Sequence, residues 1–168
     1  KRRIMSLSIA SDGKNKAVTH SLEKLDKLEA ADVKKHLLES GCWPFVKQRP
    51  YDVIADPDST PKAIFISGFS TAPLAADVPF ILSSQKEDFQ NGINALAKLA
   101  PKVHLSVDAS SASFMTEVSN AEIHRVKGQH PAGNVGVQIH HIDPVNAGET
   151  VWVVGPVDVA RIGAFFST

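Results

Sequence analysis

The stretch Val151-Trp152-Val153-Val154-Gly155-Pro156, followed by a largely apolar run to Phe166, decides the fold. It reads as a strand passing straight into a helix, because Pro156 after Gly155 suits the first helical turn, where a missing N–H removes no bond. Just upstream, His130-Pro131-Ala132-Gly133-Asn134 opens a helical run to His140-His141. Val135, Ile139 and Ile142 there share one face at i, i+4 and i+7, which points that face at a core.

The pattern repeats upstream. Ala63-Ile64-Phe65-Ile66-Ser67-Gly68 is a short continuous apolar run with β-branched bias, as expected of a strand buried on both faces of a parallel sheet. Val103, Leu105 and Val107 alternate with His104 and Ser106 in a further strand, and residues 121–126 form another, closed by Lys127-Gly128. Phe89, Ile93, Leu96 and Ala100 lie on one helical face, with Ser84 and Glu87 as a capping-box pair. Val33 and Leu37 mark an earlier helix that Ser40-Gly41 ends, glycine being the usual left-handed residue there. This alternation predicts an α/β fold, a mostly parallel sheet with flanking helices and right-handed crossovers.

At the start, Met5, Leu7 and Ile9 alternate with small polar partners, the signature of a half-buried strand. A lone strand leaves its ladder edge open. The expectation is that it pairs with the main sheet or is the last strand of a preceding domain. Residues 1–12 are therefore read as a remnant strand and residues 13–168 as the domain proper.

Composition narrows the function. Eighteen basic residues balance eighteen acidic ones, so no basic field favours a phosphate backbone, and nucleic acid is not an expected partner. The single cysteine, Cys42, excludes an intrachain disulfide and any all-cysteine zinc or iron–sulfur site within these residues. No apolar run reaches the roughly 20 residues of a membrane-spanning helix.

The segment with the least ordinary chemistry is Cys42-Trp43-Pro44-Phe45-Val46-Lys47-Gln48-Arg49-Pro50-Tyr51. Its two prolines exclude a continuous helix. It reads as a loop in which Trp43, Phe45 and Tyr51 are interleaved with Lys47 and Arg49. Aromatic faces beside cationic groups suit a flat, partly polar ligand such as a quinone or a nucleotide ring, and the same aromatics could instead pin the loop to the core. The phosphate-binding patterns G-x-G-x-x-G and G-x-x-x-x-G-K-[ST] are absent, Gly133 and Gly136 being only an echo. His130, His140 and His141 invite a metal reading, but adjacent helical histidines diverge by about 100°, and no metal site is expected. Ser67 and Ser70 lack the G-x-S-x-G context of a hydrolase elbow, and Cys42, behind a helix end, is expected to be structural.

Residues 30–49 with Leu-Glu-Ser-Gly-Cys-Trp, the stretch from Ala63 to Ala76, His130-Pro131-Ala132-Gly133-Asn134 and the closing Val151–Phe166 unit together resemble the A subunits of bacterial Na+-translocating NADH:quinone reductases. The chain is more remotely similar to the C subunit of Rnf electron-transport complexes and to the flavin- and NADH-binding subunit of respiratory complex I. The resemblance implies a central Rossmann-like domain of a peripheral subunit on the cytoplasmic face of the bacterial inner membrane, preceded by a barrel-sandwich region that supplies the first strand. Its partners would be the other subunits of a sodium-pumping complex. Its role would be quinone interaction or assembly rather than NADH oxidation, with NAD, FAD and iron–sulfur clusters held by other subunits. Where the flavin-binding relatives keep a glycine-rich loop, this sequence has Cys42-Trp43-Pro44-Phe45 and no glycine between Gly41 and Gly68. The domain alone is thus not expected to be catalytic, and Trp43, Phe45, Lys47, Arg49 and Tyr51 become the candidate quinone-contact residues. The alternatives are a free-standing nucleotide-binding enzyme of the same fold class and a purely structural assembly domain.

Overall fold

The computed structural model describes residues 4–14 and 16–167. Its centre is a six-stranded sheet formed by β1 (Val46–Arg49), β2 (Val53–Ile54), β3 (Ile64–Ser67), β4 (Val103–Asp108), β5 (Glu122–Val126) and β6 (Val151–Val154), in the order β2-β1-β6-β3-β4-β5. The strands β6, β3, β4 and β5 pair in parallel, while β1 runs antiparallel to both β6 and β2. The α/β, mostly parallel architecture is as the sequence predicts.

Alternation along the strands sends side chains to two different layers. Ile64 and Ile66 of β3, Val103, Leu105 and Val107 of β4, and Trp152 and Val154 of β6 enter the larger core. That core also takes Val33 and Leu37 from α1 (Ala30–Glu39), Phe89, Ile93 and Leu96 from α3 (Lys86–Leu96), and Val159 and Ile162 from α5 (Pro156–Ser167). Ala63, Phe65 and Val151 point the other way, against Ile139 of α4 (Val135–Ile142). On the crowded side α3 and α5 touch backbone to backbone: a Cβ on Gly163 would stand 1.6 Å from the Asp88 carbonyl oxygen, and one on Gly92 2.0 Å from that of Val159.

Helix ends follow partly from sequence. Gly41, at φ 77°, stops α1 in the left-handed conformation, and α5 begins at Pro156. The Ser84–Glu87 capping box does not form, since α3 starts at Lys86 behind Gln85 without a side-chain cap. Asp77 instead caps the short α2 (Val78–Ile81), accepting a bond from the Phe80 N–H at 3.1 Å. A reciprocal pair, Glu29 with Asp32, opens α1.

The expected N-terminal strand is not found among residues 4–10, which pair with nothing, and Met5, Leu7 and Ile9 are 91%, 80% and 85% exposed. Alternation supplies one apolar face but no ladder partner, and a strand needs both. Residues 1–3 of that reading lie outside the described residues.

Candidate functional site

The segment after Gly41 is no loop. Trp43–Phe45 form one 3-10 turn, and Val46–Arg49 then join the sheet, with a hairpin at Pro50–Asp52 leading into β2. Asp52 takes φ 55°, a left-handed turn position that aspartate tolerates. The four residues Val46–Arg49 extend the sheet by one antiparallel strand.

This separates the five candidate contact residues. Trp43 is 4% exposed. Its indole N–H donates to the Ala55 carbonyl at 2.8 Å, and its ring meets Trp152 edge-on at a centroid distance of 5.4 Å. A large apolar ring with its one donor satisfied is a core group, and Trp43 packs as one. Phe45 is half-buried beneath the Arg161 guanidinium, 5.8 Å from the ring centroid. Val46 points into the larger core, so Lys47 and Arg49 emerge on the opposite, α4 face. Tyr51 stands at the hairpin tip, 82% exposed, near the half-exposed Val53 and Ile54.

Arg49 is the residue that reaches a cleft. Its Nη1 lies 3.6 Å from Asp52 Oδ1, and its Nη2 stands where a Cβ on Gly136 would be only 2.9 Å away. It borders a cleft of about 410 Å³ with Ser67 at the end of β3, Val153, Val154 and Gly155 at the end of β6, and Gly133–Gly136 at the start of α4. From β3 the chain winds outward through β4 and β5, then returns through α4 to β6 on the other side of β3. The cleft therefore sits at the carboxyl ends of the strands where the winding reverses, the position at which open α/β sheets bind ligands. The first turns of α4 and α5 both face it, each with the positive end of a helix dipole.

The His130–Asn134 motif builds one wall. Gly133 is pressed so close to residues 70 and 71 that a Cβ would lie 2.4 Å from the Thr71 nitrogen, and its N–H donates to Thr71 Oγ1 at 2.9 Å. Ser67 shares its hydroxyl proton between the Phe69 and Gly133 carbonyls at 3.0 and 3.1 Å and accepts from the buried Gln138 at 2.9 Å. Ser67 is thus a tie between β3 and α4, in keeping with its lack of a hydrolase context. Beside it, a second cleft of about 290 Å³ runs from Gly68 to Asp108, whose carboxyl is held below its ordinary range by the hydroxyl and N–H of Ser110.

One cluster escaped the sequence reading. The β4–β5 register sets Glu122 beside His104 and His124 beside Ser106, so His104, Glu122 and His124 share the α4 face of the sheet. His104 Nδ1 lies 3.0 Å from His124 Nε2 and 3.3 Å from Glu122 Oε2. Desolvation of the buried ring, only partly opposed by Glu122, pushes the His104 pKa down. The Glu-x-His spacing was visible, but the partner on β4 appears only with the register. His130, His140 and His141 form no such group among the described residues.

Comparison with known proteins agrees with this architecture. The chain is 37% identical over 172 residues to the A subunit of the Na(+)-translocating NADH-quinone reductase of Haemophilus influenzae strain PittGG, covering 100% of the chain and 38% of that relative. It is 36% identical to the proteins of the same name from Actinobacillus succinogenes, over 99% of the chain and 38% of the relative, and Neisseria meningitidis, over 100% and 38%. The chain thus spans well under half the length of these curated relatives. The sequence profile of the NqrA second alpha/beta domain matches residues 28–168. With that match over most of its length, the chain belongs to the NqrA second alpha/beta domain family.

Proposed function

We propose that this chain is a peripheral subunit domain of a sodium-translocating NADH:quinone reductase, and that it contributes a quinone contact rather than NADH oxidation. The observation that carries the reading is Arg49, a fixed cation on an added antiparallel strand, at the mouth of the cleft where the winding of the sheet reverses. A quinone is a flat apolar ring with an acceptor oxygen at each end. Guanidinium N–H groups and the first-turn N–H groups of a helix, which lack intrahelical partners, are donors for such oxygens. The apolar flank is present in Val135 and Val153. Family membership and the names of the relatives favour the same complex.

The domain would sit at the cytoplasmic face, docked on other subunits. Among the described residues no helix is long and apolar enough to cross a membrane. The exposed Tyr51, Val53 and Ile54 form a natural docking rim beside the cleft.

The test is Arg49→Ala and Tyr51→Ala in the intact complex, assayed with quinone and separately with an artificial electron acceptor. Arg49→Ala should raise the quinone KM by about tenfold or more, the loss of one hydrogen bond to a charged donor, with artificial-acceptor turnover unchanged. An unaltered quinone KM in both variants contradicts the contact. Loss of subunits from the purified complex would favour the assembly role instead.

A further inference from the structure

We propose that His104, Glu122 and His124 form a binding site for a divalent transition-metal ion of the zinc type, clipping the edge strand β5 to β4. The three donor atoms, one from each residue, all lie within 4.8 Å of one another. Two of the separations are 3.0 and 3.3 Å. A tetrahedral ion with bonds near 2.0–2.1 Å holds its donors about 3.3 Å apart, so the two separations from His104 Nδ1 are those of ligands around one ion.

Hydrogen bonding alone serves the cluster poorly. His104 Nδ1 faces a carboxylate oxygen and a second imidazole nitrogen at once. If Nδ1 carries a proton it can satisfy only one of the two. If it is bare, it can accept from His124 but then turns its lone pair toward the carboxylate. A single cation satisfies all three lone pairs together. The His104 ring is held at 2% exposure against Phe65, 4.7 Å between centroids. Glu122 is exposed and His124 half-exposed, so an ion can enter from solvent.

Two histidines and a glutamate are a ligand set that zinc accepts, with a further position left for solvent. The affinity should be moderate. His104 Nε2 is buried without a partner, whereas the strongest imidazole ligands donate their second N–H to an acceptor. Binding in the micromolar range is therefore expected, not the nanomolar range of a fully supported site.

The experiment is titration of the intact protein, stripped with a chelator, by Co2+ followed in the visible spectrum, then displacement by Zn2+. Wild type should bind one Co2+ at this site with the intense bands of four- or five-coordination. Glu122→Gln and His124→Ala, both outside the main core, should each weaken it by about 10- to 100-fold or more. Binding equal to wild type in both variants, which would put the ion on other histidines, overturns the proposal, as does no uptake at millimolar Zn2+. X-ray absorption of the zinc-loaded wild type gives a check that needs no variant: two imidazoles plus oxygen are expected, and a shell without two imidazoles overturns the site.

Discussion

The two faces of the sheet differ in what covers them. One carries α1, α3 and α5 and a continuous apolar core in which glycines let helix backbones touch. The other carries α4 above a small cluster of Ala63, Phe65, Ile139 and Val151, bordered by His104, Ser106, Gln138 and Lys62. The close helix packing makes the thickly covered face the main source of stability. The thinly covered face carries polar groups, several of them buried, and there lie Arg49, the switch-point cleft and the His104–Glu122–His124 cluster.

Substitutions on the two faces should separate them. Trp43→Ala should have the largest effect, a loss of about 3–5 kcal/mol in urea or thermal denaturation, since it opens a cavity and strands the Ala55 carbonyl. Gly163→Ala should follow at about 3 kcal/mol, because its methyl would enter the Asp88 carbonyl and force α3 from α5. Ile139→Ala, on the thin face, should lose about 2 kcal/mol, the low end for a buried isoleucine with little packed around it. An Ile139→Ala loss equal to that of Trp43→Ala would erase the contrast. Tyr51→Ala should leave stability within about 0.5 kcal/mol, so any effect on quinone kinetics would be a contact effect.

The smallest expected effect is electrostatic. Lys62 bonds Asp143 at 2.6 Å and Glu149 at 3.1 Å beside α4. Its pKa is raised, first by the bond to Asp143 and then by that to Glu149, while the Asn146 N–H and Lys62 hold Glu149 below its ordinary value. A depressed carboxyl contributes stability that is complete above the unfolded glutamate pKa and is lost as pH falls through the lower folded value. A raised lysine contributes below the unfolded lysine pKa and fades as pH rises through the higher folded one. Stability from this cluster is thus flat around neutrality and declines at both ends. Glu149→Gln should lower Tm slightly around neutral pH and shallow the acid limb of a Tm-against-pH curve, the two proteins converging at low pH. An acid limb identical to wild type would remove the cluster from the account.

How much of this was legible in sequence depended on range. Strands buried on both faces announce themselves as apolar runs, and so β3 and β6 were readable, as was the start of α5 at Pro156. Val46–Arg49 was hidden, because between two prolines its four residues carry no period of their own and become a strand only through pairing with β6. At Met5–Ile9 the period exists without a ladder partner among the described residues. Trp43 and Arg49 looked alike as candidates, yet the strand's alternation buries the side on which Trp43 packs and turns Arg49 outward. His104 read only as alternating with Val103 and Leu105 in a strand, and the register shows it buried beside Glu122 and His124.

The most direct test of the contrast is hydrogen–deuterium exchange on the intact complex with and without bound quinone. Added protection should be concentrated in residues 46–54 and 133–137 around the cleft, with α3 and α5 unchanged. Protection absent from both segments, or confined to α3 and α5, would contradict the assignment of function to the thinly covered face.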